Sequence, residues 1–254
     1  MTETIIIGNN PDAKYIAFGD DSQYKNILTF AFAILKKEHL AEAISVLEYF
    51  RSHYKFPDDV PIHCRVLFSG AQREKHGLSH LDPNDIKEMI SKIFYHSKKI
   101  PILCRYATSV LSDKELILDK DDDFPEIKND PKGILGLLMQ GCFAVPGNGQ
   151  EGPTAKDTEI FVSSDKTKIK FFGDRKNQAE KLYSGFSDID APSDVVNRIQ
   201  PNIIENKDWK QRPLIQLADV FSYVCSHADL KLQNSDYFTD LIKSISYVKK
   251  SMEL

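Results

Sequence analysis

The chain has 254 residues, of which 41% are hydrophobic and 28% charged, the balance of a globular protein and not of a disordered or fibrous one. Its 33 basic and 37 acidic side chains leave a net charge of −4, which excludes a surface that is uniformly attractive to nucleic acid or membrane but not a local basic groove. The four cysteines, Cys64, Cys104, Cys142 and Cys225, are far apart and form no CxxC, so neither a disulfide framework nor a structural zinc site is expected, and a reducing cytoplasm is the expected location. The opening MTETIIIGNN lacks the basic start and apolar length of a secretory signal. No stretch approaches the roughly 18 apolar residues of a membrane span, so no membrane partner is expected. A single domain over 1–254 is the expectation.

In chain order, Lys14–Gly19 predicts a strand ending at the acidic pair Asp20-Asp21, and Asn26–Leu35 a second, β-branched and aromatic one. The six residues DDSQYK between them have the length of a hairpin connection. Leu40, Ala43, Ile44, Leu47 and Phe50 recur at helical spacing within Glu38–Tyr54. Ile62–Phe68 reads as a short strand or extended segment. Asp82-Pro83 is a strong helix start, with Ile86, Ile90, Ile93 and Phe94 as the buried stripe. Ile100–Val110 predicts a central strand. Residues 118–157 read as a loop and helical insertion, with a helix over Lys132–Ala144 and a Gly/Pro-rich loop over Val145–Thr154. Thr158–Asp165 and Thr167–Gly173 predict two strands, Asp174–Phe186 a helix and Pro201–Glu205 a short strand. Pro213–Leu230 is the clearest helix, and a last helix is expected over 235–251, its Lys249-Lys250 pair suiting the helix dipole. This order predicts an α/β domain with a mixed sheet.

The acidic positions carry the strongest chemical signal. Asp20 and Asp21 follow an apolar strand, Asp165 ends another, and Asp219 lies in the most apolar helix, between Leu217-Ala218 and Val220-Phe221. A carboxylate beside a buried face needs a partner, because an unpaired buried charge is costly. Carboxylates from separate elements can converge on Mg²⁺ or Mn²⁺. The plainer reading makes the strand-end aspartates turn residues and pairs Asp219 with an arginine such as Arg212. Between Lys166 and Lys181 lie six basic residues, Lys166, Lys168, Lys170, Arg175, Lys176 and Lys181. The alternating lysines would share one strand face, either a phosphate track or a solvated edge. His76 and His80 have the i,i+4 spacing of helix metal ligands, but Gly77 and the lack of a third ligand argue against a site. Asp119, Asp121 and Asp123 imitate a calcium loop without its glycine or closing glutamate. Gly147–Pro153 lacks the Lys-Ser/Thr of a P-loop, and no GxSxG is present.

YIAFGDDSQ (Tyr15–Gln23) resembles the opening strand and acidic turn of the bacterial family catalogued as domain of unknown function 3800, and PLIQLADVFSYV (Pro213–Val224) resembles its closing Leu-Gln-Leu-Ala-Asp helix. FVSSDKTKIKFFGDRKNQ (Phe161–Gln178) resembles its middle strand, and IHCRVLF (Ile62–Phe68) falls where members carry a Lys or His. The likeness spans roughly residues 14–230. The resemblance implies a ribonuclease H-like mixed β-sheet flanked by helices and a metal-dependent nuclease acting on RNA or DNA by a two-metal mechanism. It implies Asp20, Asp165 and Asp219 as ligands of Mg²⁺ or Mn²⁺, with Asp21 or His63 assisting proton transfer. Lys166, Lys168, Lys170, Arg175 and Lys176 would contact nucleic acid, and a protein partner could extend the track. Asp21 replaces a glutamate of the family and Gln23 a glycine. The alternatives are therefore a catalytically degenerate module that binds nucleic acid or protein in a defence or mobile-element setting, and a structural subunit whose aspartates are internally paired.

Overall fold

The structure is a computed structural model describing residues 10, 12–110, 135, 138–139, 141–143, 153–154, 157–164, 202–205, 209–228 and 236–252. The chain begins with β1 (Tyr15–Tyr24) and β2 (Ile27–Lys36), followed by a 3₁₀ turn at Lys37–His39. Four helices come next: α1 (Leu40–His53), α2 (Cys64–Leu67), α3 (Gly70–Lys75) and α4 (Pro83–Lys99). After β3 (Leu103–Val110), β4 (Thr158–Ser164) and β5 (Asn202–Glu205) come α5 (Ile215–Ala228), α6 (Asp236–Lys243) and β6 (Tyr247–Met252).

These strands form one mixed sheet in the order β5-β4-β1-β2-β3-β6. β1, β2 and β3 are an antiparallel meander, whereas β4 runs parallel to β1, β5 parallel to β4 and β6 parallel to β3. The domain is thus a mixed α/β fold with helices flanking the sheet, as expected. No helix among the described residues is long and apolar enough to cross a membrane.

Strand alternation sorts β1 between two cores. Ile16 and Phe18 face a core shared with α1, α4 and α5, including Leu47, Phe94, Leu217 and Phe221. Ala17 faces the opposite core, with Phe30, Phe32, Leu138, Met139 and Phe143. β2 lies between both, and nine of its ten residues are buried, which accounts for its apolar run, interrupted only by the buried Thr29. Leu135, Leu138, Met139 and Gly141 are helical, matching the helix expected over 132–144. α4 starts at a reciprocal cap: Asp82 Oδ1 accepts from the amides of Asn84 and Asp85 at 2.7 and 2.8 Å, and Asp85 Oδ2 accepts from the Asp82 amide at 3.0 Å.

The structure corrects four expectations. β1 does not stop at Gly19. Asp20 and Asp21 stay in register with Ala31 and Phe30, and the hairpin contracts to the two-residue turn Lys25-Asn26, with Lys25 at φ 54°. Ile62–Phe68, expected as a short strand or extended segment, is extended only at its start: after His63 it turns into α2, the amides of Val66 and Leu67 donating to the His63 carbonyl at 3.0 Å each. β3 begins only at Leu103, two residues beyond Pro101. The terminal helix ends at Lys243, and Tyr247–Met252 forms a strand because the side of β3 away from β2 offers a ladder to the β-prone Tyr247-Val248. Lys249 and Lys250 therefore sit on a strand that is the outermost on its side of the sheet among the described residues, not at a helix end. The strand expected over 167–173 and the helix over 174–186 lie outside the described residues.

Gly19 is required by close approach. A Cβ there would meet the Phe32 ring at 2.4 Å and the Phe30 ring at 2.8 Å. Both rings are buried in the core opposite α5, so they have little room to yield. Gly19→Ala is expected to cost about 1–3 kcal/mol by overpacking. Urea denaturation checks this, and an unchanged midpoint would contradict the close approach.

Candidate functional site: a histidine clasped to an aspartate

α5 is buried around most of its circumference. From Ile215 to His227 every residue is buried except Asp219, Tyr223 and His227, a stripe at i, i+4, i+8. Asp219 stands at the end of this stripe nearest Gln216, and these two side chains hold the segment that enters α2. Gln216 Oε1 accepts from the Ile62 amide at 2.7 Å, and Asp219 Oδ2 from the Cys64 amide at 2.7 Å. His63 between them has φ −136° and ψ 115°, so the amides on either side point the same way, as along a strand edge. The Gln-x-x-Asp of α5 thus does the work of a neighbouring strand. Gln216 Nε2 donates in turn to the Pro213 carbonyl at 3.0 Å, which fixes the amide's orientation.

The second oxygen of Asp219 accepts from His63 Nδ1 at 2.6 Å. The aspartate side chain is 14% exposed and the imidazole 43%. With Nδ1 protonated and held, Nε2 is the nitrogen left for other chemistry. Burial depresses the basicity of His63, but the hydrogen bond and charge of Asp219 more than offset it against a smaller opposing effect of Arg65, so its pKa lies above the ordinary 6.5. The Cys64 thiol is pushed well up by burial and by Asp219, so it is no thiolate nucleophile.

His63 opens onto a cavity of about 350 Å³ lined by Val60, Pro61, Arg65, Val66, Gln72 and His76. Among the described residues its polar lining is two imidazoles, a guanidinium and an amide, with no carboxylate. The loop before it is braced by Arg51, which donates to the carbonyls of Val60 and Pro57 and lies 4.4 Å from the Trp209 ring centroid.

The sequence-predicted residues are only partly brought together. Asp219 pairs with His63, not with Arg212, which lies over the Phe161 ring at 4.5 Å. Asp20 shares its face of β1 with Phe18 and with Ser22, whose hydroxyl meets that of Ser226 on α5 at 3.2 Å, so Asp20 is on the α5 side. Asp21 alternates to the opposite face, beside Phe30, and is separated from Asp20 and Asp219. Asp165, Lys166, Lys168, Lys170, Arg175 and Lys176 lie outside the described residues. Among the described residues no three carboxylate, imidazole or thiol groups gather as a metal site. His76 and His80 diverge: His80 Nε2 meets the Tyr54 carbonyl at 2.9 Å, and His76 turns to the cavity. Sequence reasoning dismissed His76 as a metal ligand and had no signal for this cavity.

No protein-family model, curated protein or solved structure matches the chain.

Two measurements check the clasp. Gln216→Ala and Asp219→Ala each leave a strand-like amide without its acceptor and are expected to cost about 1–3 kcal/mol. The ion pair adds a pH dependence. Because the folded pKa of His63 is raised, its stabilising effect is full below the unfolded value near 6.5 and is lost as pH rises through the folded value. In metal-free buffer the imidazole proton resonances should titrate above 6.5, and Asp219→Asn should bring the midpoint down. A midpoint that does not move would contradict the pairing.

Proposed function

We propose that the chain is a ribonuclease H-like, metal-dependent nuclease that hydrolyses phosphodiester bonds of RNA or DNA. The observation that carries this reading is the shared face of β1 and α5: Asp20, on a central strand, lies on the side covered by the helix bearing Asp219. A first strand flanked by an antiparallel meander on one side and parallel strands on the other supports the mixed sheet that the family resemblance implies.

The donor chemistry suits Mg²⁺ or Mn²⁺, which prefer hard oxygens. Each Asp219 oxygen already accepts one hydrogen bond, but a carboxylate offers about four lone-pair sites, so capacity remains. Asp20 and Asp219 would hold the cation, with Asp165 as the third ligand of this reading. When bound it supplies charge neutralisation at the phosphoryl group and a stronger nucleophile at neutral pH. The chain's own residues do the rest. Asp219 holds the proton on His63 Nδ1 and orients the ring. The protonated Nε2 can then give its proton to the leaving oxygen. Arg65, on the cavity wall, favours an anionic group there. The Lys166–Lys176 segment would follow the phosphate backbone, with a protein partner extending it.

The engagement of both Asp219 oxygens favours a second reading, a degenerate module that binds nucleic acid or a protein without cutting it.

Wild type and Asp20→Asn, which leaves the clasp intact, separate the two. The nuclease reading expects Mn²⁺ at up to about 10 mM to raise the unfolding temperature of the wild type by mass action, and Asp20→Asn to lose that rise. It also expects cleavage of labelled RNA or DNA that falls to background in the variant. No metal-dependent rise together with no cleavage would overturn it in favour of the binding module.

A further inference from the structure

The exposed stripe of α5 continues past Asp219 into a column of aromatic rings. Phe68, just after α2, stacks on Tyr223 with centroids 4.9 Å apart and planes within 5°. Tyr223 stacks on His227 at 4.0 Å and 26°, and His227 on Tyr24, at the end of β1, at 3.9 Å and 29°. The column joins three segments: the α2 exit, the only partly exposed stripe of α5 and the β1 hairpin. Its rings are held, not merely adjacent. His227 Nδ1 donates to the Tyr223 carbonyl at 2.8 Å, and Phe238 packs against Phe68, Tyr223 and His227. Burial lowers the basicity of His227 and raises the pKa of Tyr223, so both of these rings are neutral near pH 7.

Tyr24 is the terminal ring. Among the described residues no ring other than His227 stacks on it. The exposed Lys25 follows it with its ammonium over the Tyr24 ring, 5.5 Å from the centroid, so a base stacking there takes the place of that side chain. Lys25 is set in the left-handed region at φ 54°, and its carbonyl accepts from Gln23 Nε2 at 3.1 Å, which ties the turn to the strand. Alternation puts Tyr24 on the same face of β1 as Asp20 and Ser22, roughly 13 Å from Asp20 along the strand. An aromatic face with a cation beside it is the pairing that binds unpaired nucleobases and their phosphates. A paired base within a duplex has both faces stacked and cannot use it.

We propose that the substrate is single-stranded nucleic acid and that Tyr24 is its stacking platform, one unpaired base extending the Phe68–Tyr223–His227–Tyr24 column while Lys25 turns to the adjacent phosphate. This deepens the nuclease reading and rests on it for the direction of the strand, which passes from Tyr24 along the α5 face toward Asp20. It also applies to a module that binds without cutting.

The test is fluorescence anisotropy of a labelled single-stranded decamer, and of the matching duplex, in chelator at low salt. Tyr24→Ala should weaken single-strand binding about 5- to 150-fold, with duplex binding little changed, and Tyr24→Phe should bind like the wild type. Lys25→Gln, on an exposed turn where folding is not at stake, should weaken binding and reduce the slope of log K against log salt by about 0.7. The proposal is overturned if the wild type prefers the duplex, if a folded Tyr24→Ala binds the single strand as the wild type does, or if Lys25→Gln leaves the slope unchanged. Mn²⁺-dependent hydrolysis of a diester carrying no nucleobase reports separately on the nuclease reading. It should require Asp20. Hydrolysis together with strand binding indifferent to Tyr24 sinks the platform alone, whereas Tyr24-dependent binding with no hydrolysis of any diester sinks the nuclease alone.

Discussion

A carboxylate set into the most apolar helix of the chain has to be compensated, and how Asp219 is compensated determines the architecture around it. Its two oxygens take a backbone amide and an imidazole from one extended tripeptide. That choice pulls residues 62–64 onto α5, starts α2 immediately afterwards and presents His63 to the cavity. An arginine partner would have satisfied the same charge without ordering the backbone. The clasp therefore links a local electrostatic requirement to the placement of a whole helical segment. It also explains why glutamine and aspartate stand three residues apart: amides two residues apart on an extended chain are spaced to meet acceptors about one helical turn apart.

The regular elements were legible where one physical effect dominated. Nine buried residues in β2 require a nearly continuous apolar run, and Ile27–Leu35 has one, interrupted only by Thr29. The capped start of α4 is written in Asp82-Pro83 and completed by Asp85. Illegible elements were those whose hydrogen bonds go to distant partners. Ile62–Phe68 has the composition of a strand, but its amides are taken by side chains 154 and 155 residues away, and no local pattern announces that. Tyr247–Met252 sits in a stretch that reads as helix and becomes a strand only because β3 has a side to pair with. β1 outlasts its apolar run because pairing with Ile27–Ala31 continues after the side chains turn polar.

The candidate site was legible as residue types and not as geometry. An aspartate among leucine, alanine, valine and phenylalanine signals that something must meet it, and Asp219 and His63 were both among the residues the sequence singled out. That the two meet each other could not be read, since they are 156 positions apart. The acidic pair illustrates the opposite error. Asp20 and Asp21 look like one site when read along the chain, yet in a continuing strand adjacent side chains oppose each other. Only Asp20 reaches the α5 side. The aromatic column left no trace at all, because Tyr24, Phe68, Tyr223 and His227 belong to three separate segments.

These features impose a division of labour on α5. Its buried positions fix it against β1 and β2, and its open stripe holds groups of different character at successive turns. Asp219 carries charge and orients an imidazole, whereas Tyr223 and His227 are neutral rings supporting Tyr24. A rigid helix sets the spacing between the charged end and the aromatic end at about 12 Å over eight residues. Whatever anion meets the His63 end and whatever planar group meets the Tyr24 end must therefore belong to one extended molecule to use both. The selectivity of this surface would come from that fixed separation more than from the strength of either contact, since a rigid support has little ordering entropy left to lose when a ligand spans it.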